Sequence, residues 1–221
     1  MQLTYPPDVR LFRCIPREIG VYLPIPLSGR LDALVEIGKN AWAPAMRKEV
    51  MSALLLAANP EARWLRLVVA RYKKAQVSNA FVRGCDDEFF LWPPEERGPR
   101  QLKLWNYAET HPDDVPPVTA NEVLATAEEY RIGMPVPSPL AGRLDLLLQI
   151  VNERHQHTWR KDLIAALILD APIKGSDLAA ILHKYWHATV CDAEVPDHDT
   201  EPIYRIPSPS PPSRRRQRRR A

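Results

Sequence analysis

Apolar residues recur at two different periods along this chain, and the change of period marks its elements. Ile19, Val21 and Leu23 alternate with Gly20 and Tyr22, which predicts a strand with one buried face. A Pro-Ile-Pro-Leu step follows, and proline suits the first turn of a helix because its missing donor would be unpaired there anyway. Leu27, Leu31, Leu34 and Ile37 then fall at helical spacing, and Pro44 is expected to end that helix. A second helix is predicted from about Arg47, with Val50, Met51, Leu54 and Leu55 inward, closed by Pro60. A third is expected near residues 62–76.

The same order returns further along. Ile132, Met134 and Val136 alternate with Gly133 and Pro135; Leu140, Leu144, Leu147 and Ile150 follow at helical spacing. Leu163, Ile164, Leu167 and Ile168 mark a second helix closed by Pro172, and a third is expected near residues 176–188. Shifting the chain by 113 places sets residues 18–58 over 131–171 without a gap, and 17 of 41 positions are identical. Unrelated segments of this composition would share only a few, so one unit is read as present twice. One strand and two helices cannot bury their own apolar faces. Closing a ribbon between residues 19–23 and 132–136 would solve that within one chain, and pairing copy with copy across a homodimer is the alternative.

The run Leu23-Pro24-Ile25-Pro26-Leu27-Ser28-Gly29-Arg30-Leu31-Asp32-Ala33-Leu34 resembles the strand–helix junction of the ribbon-helix-helix DNA-binding family. Val136-Pro137 through Leu147 resembles it again, and Arg47-Lys48-Glu49-Val50 and Arg160-Lys161-Asp162-Leu163 are similar to the family's second-helix start. The resemblance covers roughly 45 residues per copy. It implies an antiparallel ribbon over interlocked helices, with double-stranded DNA as partner. The expected fold class is mainly α with short β: a duplicated strand-helix-helix unit forming a pseudo-dimer, a β-hairpin insert and a disordered basic tail. The expected boundaries are an arm at 1–17, a first copy at 18–76, an insert at 77–129, a second copy at 130–190 and the tail at 191–221.

Charge sharpens where DNA contacts could arise. The net charge is +3, but six arginines lie among the last nine residues, so residues 1–212 hold 24 basic against 27 acidic groups and sum to −3. A basic face on the folded body must therefore come from local placement. On the outer ribbon face the alignment puts Gly20 and Tyr22, with Arg131, Gly133 and Pro135. Family members carry polar residues there, so only Tyr22 and Arg131, together with Arg17, are candidates for reading base edges. Arg47, Lys48, Arg160 and Lys161 are candidate phosphate anchors at helix starts, the alternative being a solvated face paired with Glu49 and Asp162. In the Pro/Ser/Arg-rich tail, Arg214, Arg215, Arg216, Arg218, Arg219 and Arg220 suit sequence-independent contact with DNA or RNA backbones.

Other chemistry is sparse. His183, His187 and Cys191 fall at helical spacing, with His155 and His157 earlier, but read as surface or packed residues before metal ligands. Glu88-Phe89-Phe90-Leu91-Trp92 and Gln101-Leu102-Lys103-Leu104-Trp105 predict a hairpin docked on the chain's own helices. Thr119-Ala120-Asn121-Glu122 reads as a capping box opening a short helix to about Tyr130. Three cysteines, far apart, are expected as free thiols in a reducing cytosol. No secretory leader, membrane span, catalytic motif or cofactor is expected. The function expected is DNA binding, as a transcriptional regulator or a plasmid or mobile-element accessory factor at the nucleoid. The alternative is a protein-interaction scaffold whose tail alone has nonspecific nucleic-acid affinity.

Overall fold

A computed structural model of the chain describes residues 5–41, 43, 45–82, 121–153 and 157–195. The predicted hairpin, the tail arginines Arg214–Arg220, Cys85 and His155 lie outside the described residues. Among those described there are six α-helices and one two-stranded sheet. Strand β1 (Pro16–Pro24) leads into α1 (Ile25–Asn40), α2 (Arg47–Ala57) and α3 (Ala62–Lys74). Strand β2 (Glu129–Pro137) leads into α4 (Ser138–Asn152), α5 (Arg160–Asp170) and α6 (Gly175–His187).

The two strands pair antiparallel, with Ile19 opposite Met134, Gly20 opposite Gly133 and Val21 opposite Ile132. Alternation does what the sequence pattern requires: Ile19, Val21, Leu23, Ile132, Met134 and Val136 are buried, while Gly20, Tyr22, Arg131, Gly133 and Pro135 face solvent. A one-residue slip would exchange those two sets, so burial of six apolar side chains fixes which face of each strand turns inward. Each is worth roughly 1.5–3 kcal/mol when fully buried.

Below the ribbon the packing crosses between the halves of the chain. Helix α2 lies on α6, α3 on α5, and α1 on both α5 and α6. Leu27, Leu31, Leu34, Val50, Met51 and Leu55 from the first half share one core with Leu140, Leu144, Leu147, Leu163, Ile164 and Ile168 from the second. Neither half covers its own apolar stripe.

The flanks of each half are also built into this exchange. Arg10 bridges Thr189 and Val123 bridges Gln76, two short contacts whose residues differ by the same 113-place shift. The backbone N–H of Leu11 donates to Ala188 O at 3.0 Å, and that of Leu124 donates to Ala75 O at 2.8 Å. Two expectations are corrected here. The segment before β2 is not a helix running to Tyr130: it forms a single 3₁₀ turn at Leu124–Thr126, and Tyr130 is already on β2. Pairing with residues 75–77 holds its backbone extended, and Leu124 and Ala127 are drawn into the core. Residues 191–195, expected in the tail, belong to the fold: Val190–Ala193 forms a 3₁₀ turn, and Ala193 and Val195 are buried.

Candidate nucleic-acid interface

Three strand positions on each side of the sheet build its solvent face. The cross-strand pairs there are Glu18 with Pro135, Gly20 with Gly133, and Tyr22 with Arg131. Tyr22 is 54% exposed, a large aromatic that a folded core would hide. The central glycine pair leaves a flat strip over which charged side chains fold. A Cβ on Gly20 would sit 3.7 Å from Arg131 Nη2, and one on Gly133 would meet Glu18 Oε1. Glu18 also belongs to this face: strand alternation puts it there, though as a carboxylate it brings no donor for base edges.

Arg17 is placed differently from the expectation. It has the parity of Ile19, so its side chain leaves the strand on the core-facing side and reaches outward at the ribbon's end to Asp145, 3.5 Å away. It stands beside the ribbon and does not project from its outer face.

The starts of α2 and α5 flank the ribbon. Residues immediately before them, Met46 and Trp159, are 63% and 69% exposed and occupy equivalent places in the two halves. Trp159, Arg160 and Lys161 line an open groove of about 550 Å³ together with Gly20, Val21, Tyr22 and Glu129. The four cations expected at these helix starts are all beside carboxylates. Arg47 grips Asp32 with two nitrogens, one contact being 2.7 Å, and Arg160 holds Asp145. Lys48 lies 3.4 Å from Glu49, and Lys161 lies 2.6 Å from Glu129. Asp162 accepts the Trp159 backbone N–H at 3.2 Å, so part of the α5 N-terminus is already served by its own side chain. Asp32 and Asp145 stand in the two Gly-Arg-Leu-Asp runs, fifteen residues before Arg47 and Arg160, a spacing that becomes a contact only once α2 packs beside α1 and α5 beside α4.

Two buried arginines carry more structure than any of these surface groups. Arg30 and Arg143, 6% and 5% exposed, thread their guanidinium groups between helix ends and donate to backbone carbonyls. Burial pulls the Arg30 pKa down from its ordinary value, and the Asp170 carboxylate opposes that shift. In the sequence both residues stand out only because a shift of 113 places sets one over the other, which says nothing of this role.

Cys191 lies in a 3₁₀ turn beyond the end of α6, so His183, His187 and Cys191 do not share one helical face. Among the described residues no three His, Cys, Asp or Glu side chains are grouped to hold a metal ion. Cys14 and Cys191 are free thiols. No helix among the described residues is long and apolar enough to cross a membrane. No protein-family model, curated protein or solved structure matches the chain.

Proposed function

We propose that this chain is a DNA-binding protein of ribbon-helix-helix type, a duplicated unit that makes in one polypeptide what two identical chains make in the family it resembles. The reading is carried by the solvent face of the ribbon, where Tyr22 and Arg131 stand opposite each other on paired strands. A two-stranded ribbon fits the major groove of B-form DNA, about 12 Å wide, with its outward side chains against base edges. Arg160 and Lys161 beside that pair would meet phosphates by exchanging their carboxylate partners for the nucleic acid. The arginine-rich tail would add sequence-independent affinity, and a role as transcriptional regulator or mobile-element accessory factor at the nucleoid follows from this reading.

A second reading is favoured by Glu18 on the same face and by the carboxylate beside each helix-start cation. These suit a scaffold that binds another protein. Duplex binding measured from low to high salt separates the two, using the full chain, a truncation ending at Pro212, and a Tyr22→Ala/Arg131→Ala variant. DNA reading by the ribbon requires that the truncation keep measurable affinity and that the double variant lose it. A truncation that no longer binds, beside a double variant that binds like the parent, leaves the scaffold.

A further inference from the structure

We infer that the DNA site read by this chain is not a palindrome, and that base recognition is concentrated in the half lying under Tyr22 and Arg131. This rests on the DNA reading above and adds the form of the site.

The ribbon register carries the asymmetry. In a ribbon made by two identical chains, a two-fold axis places the same pair of side chains on both sides of the centre, and operator palindromy mirrors that symmetry. Here the centre is the Gly20–Gly133 pair, whose two members occupy equivalent places in the two halves. Moving one step outward in one direction gives Tyr22 opposite Arg131; one step in the other gives Glu18 opposite Pro135. The shift of 113 places turns Tyr22 into Pro135 and Glu18 into Arg131. The backbone is therefore symmetric while its outer face is not.

The chemistry of the two sides differs in kind. An arginine offers two parallel donors to the O6 and N7 acceptors of guanine, the commonest specific contact in the major groove. Tyr22 adds a hydroxyl and a ring, and the neighbouring groove adds the exposed Trp159 ring; the flanking cations do not distinguish the sides, since Arg160 and Lys161, paired with Asp145 and Glu129, have counterparts in Arg47 and Lys48. Across the centre, Pro135 has no side-chain donor. Glu18 can accept only from an amino group such as that of cytosine, and it carries a negative charge between two phosphate backbones. Whatever each side meets, the two cannot prefer the same sequence.

Enrichment of duplexes from a random pool by the full chain tests this. The expected result is a site without two-fold symmetry, its information concentrated in one half. Arg131→Ala then flattens the preference at one base pair, lowering discrimination roughly ten-fold or more, while affinity for random duplex changes only a few-fold. A Glu18→Arg/Pro135→Tyr variant, checked for native circular dichroism, puts equivalent pairs on both sides and should shift enrichment toward a palindrome. A palindromic site selected by the unaltered chain, or an enriched sequence indifferent to Arg131→Ala, overturns the inference and leaves DNA binding standing. Failure of the chain truncated at Pro212 to enrich any duplex removes the DNA reading as well.

Discussion

Arg30 and Arg143 are each clamped on the other half of the chain, in the same way. Arg30 Nε donates to Ile168 O at 2.9 Å, and its Nη atoms donate to the carbonyls of Leu169, Ala171 and Ala80. Arg143 Nε donates to Leu55 O at 2.9 Å, and its Nη atoms donate to the carbonyls of Ala58, Ala193 and Glu194. Ile168 and Leu55 lie in the last turns of α5 and α2, where carbonyls have no partner within the helix. A cation at that end also meets the negative pole of the helix. Each guanidinium thus closes a helix end from the opposite half and ties it to a neighbouring 3₁₀ turn. The planar, five-donor fork suits a cluster of carbonyls better than any other side chain could.

From this clamp follows a pair of matched stability losses. Arg30→Ala and Arg143→Ala should each destabilise the fold by about 3 kcal/mol or more, because several buried acceptors lose their partner at once. Lysine at either position should recover little, since a single ammonium cannot reach carbonyls spread over two elements. Urea unfolding of the four variants checks this. A loss below about 1 kcal/mol for either alanine variant would mean that water replaces the guanidinium at no great cost.

The buried face of each strand was legible in the sequence because alternation at residues 19–23 and 132–136 has only one way to bury its apolar side chains; the register that sets Gly20 opposite Gly133 was not, because a two-residue shift keeps the same faces. The helices were legible because their apolar spacing is repeated and proline brackets them. The clamps were not, because an arginine within Gly-Arg-Leu-Asp looks like any polar helix position until the partner helix end is in place. Its carbonyl partners lie 138 residues away for Arg30 to Ile168 and 88 residues away for Arg143 to Leu55. The pairing of residues 7–11 with 188–191 was hidden for a related reason. It is made by backbone groups of short 3₁₀ turns, which leave no periodic mark on side chains. At the candidate interface, exposure of Tyr22 and Arg131 followed from parity, whereas the ion pairs of Arg47 and Arg160 depended on how α2 and α5 pack beside α1 and α4.

Those ion pairs lead to an expectation about Asp145, which faces both Arg160 and Arg17. If the flank of the ribbon meets phosphates, Asp145→Asn should strengthen duplex binding several-fold at low salt, because two guanidinium groups lose their internal carboxylate. The salt dependence should steepen by about 0.9 in log–log slope for each additional phosphate neutralised. Anisotropy titrations at several salt concentrations give both quantities. Unchanged affinity and slope would place Arg160 and Arg17 away from the nucleic acid.

The crossed packing predicts that the halves are not independent. With the chain divided between residues 100 and 101, neither fragment should give a cooperative thermal transition as a monomer, since α2 and α3 pack against α6 and α5. Mixing them should restore helical circular dichroism and produce a 1:1 complex whose melting temperature rises with concentration. The decisive observation against this is a single fragment that is monomeric by sedimentation and unfolds cooperatively.

Alkaline pH should expose a further property of the core. Tyr72 and Tyr185 hold equivalent places in α3 and α6 and are both buried. Burial raises the Tyr72 pKa above its ordinary value near 10, helped by the Asp162 and Glu129 carboxylates. Burial likewise raises that of Tyr185, with the nearby Ser52 hydroxyl opposing the shift and Glu49 and Cys14 adding to it. A raised pKa means the folded state keeps its phenolic proton after the unfolded chain has released it. The stabilising contribution is therefore complete below about pH 10 and drains away as pH climbs beyond it toward the folded-state value. Each tyrosine adds at most about 1.4 kcal/mol per pH unit to that decline. Urea midpoints measured between about pH 8.5 and 11 should fall more steeply for the parent than for Tyr72→Phe/Tyr185→Phe. Lysine ion pairs also weaken in this range, but they are common to both proteins, so the difference between the two curves reports the phenols alone. Parallel curves would show that the two hydroxyls ionise as readily in the folded chain as in the unfolded one.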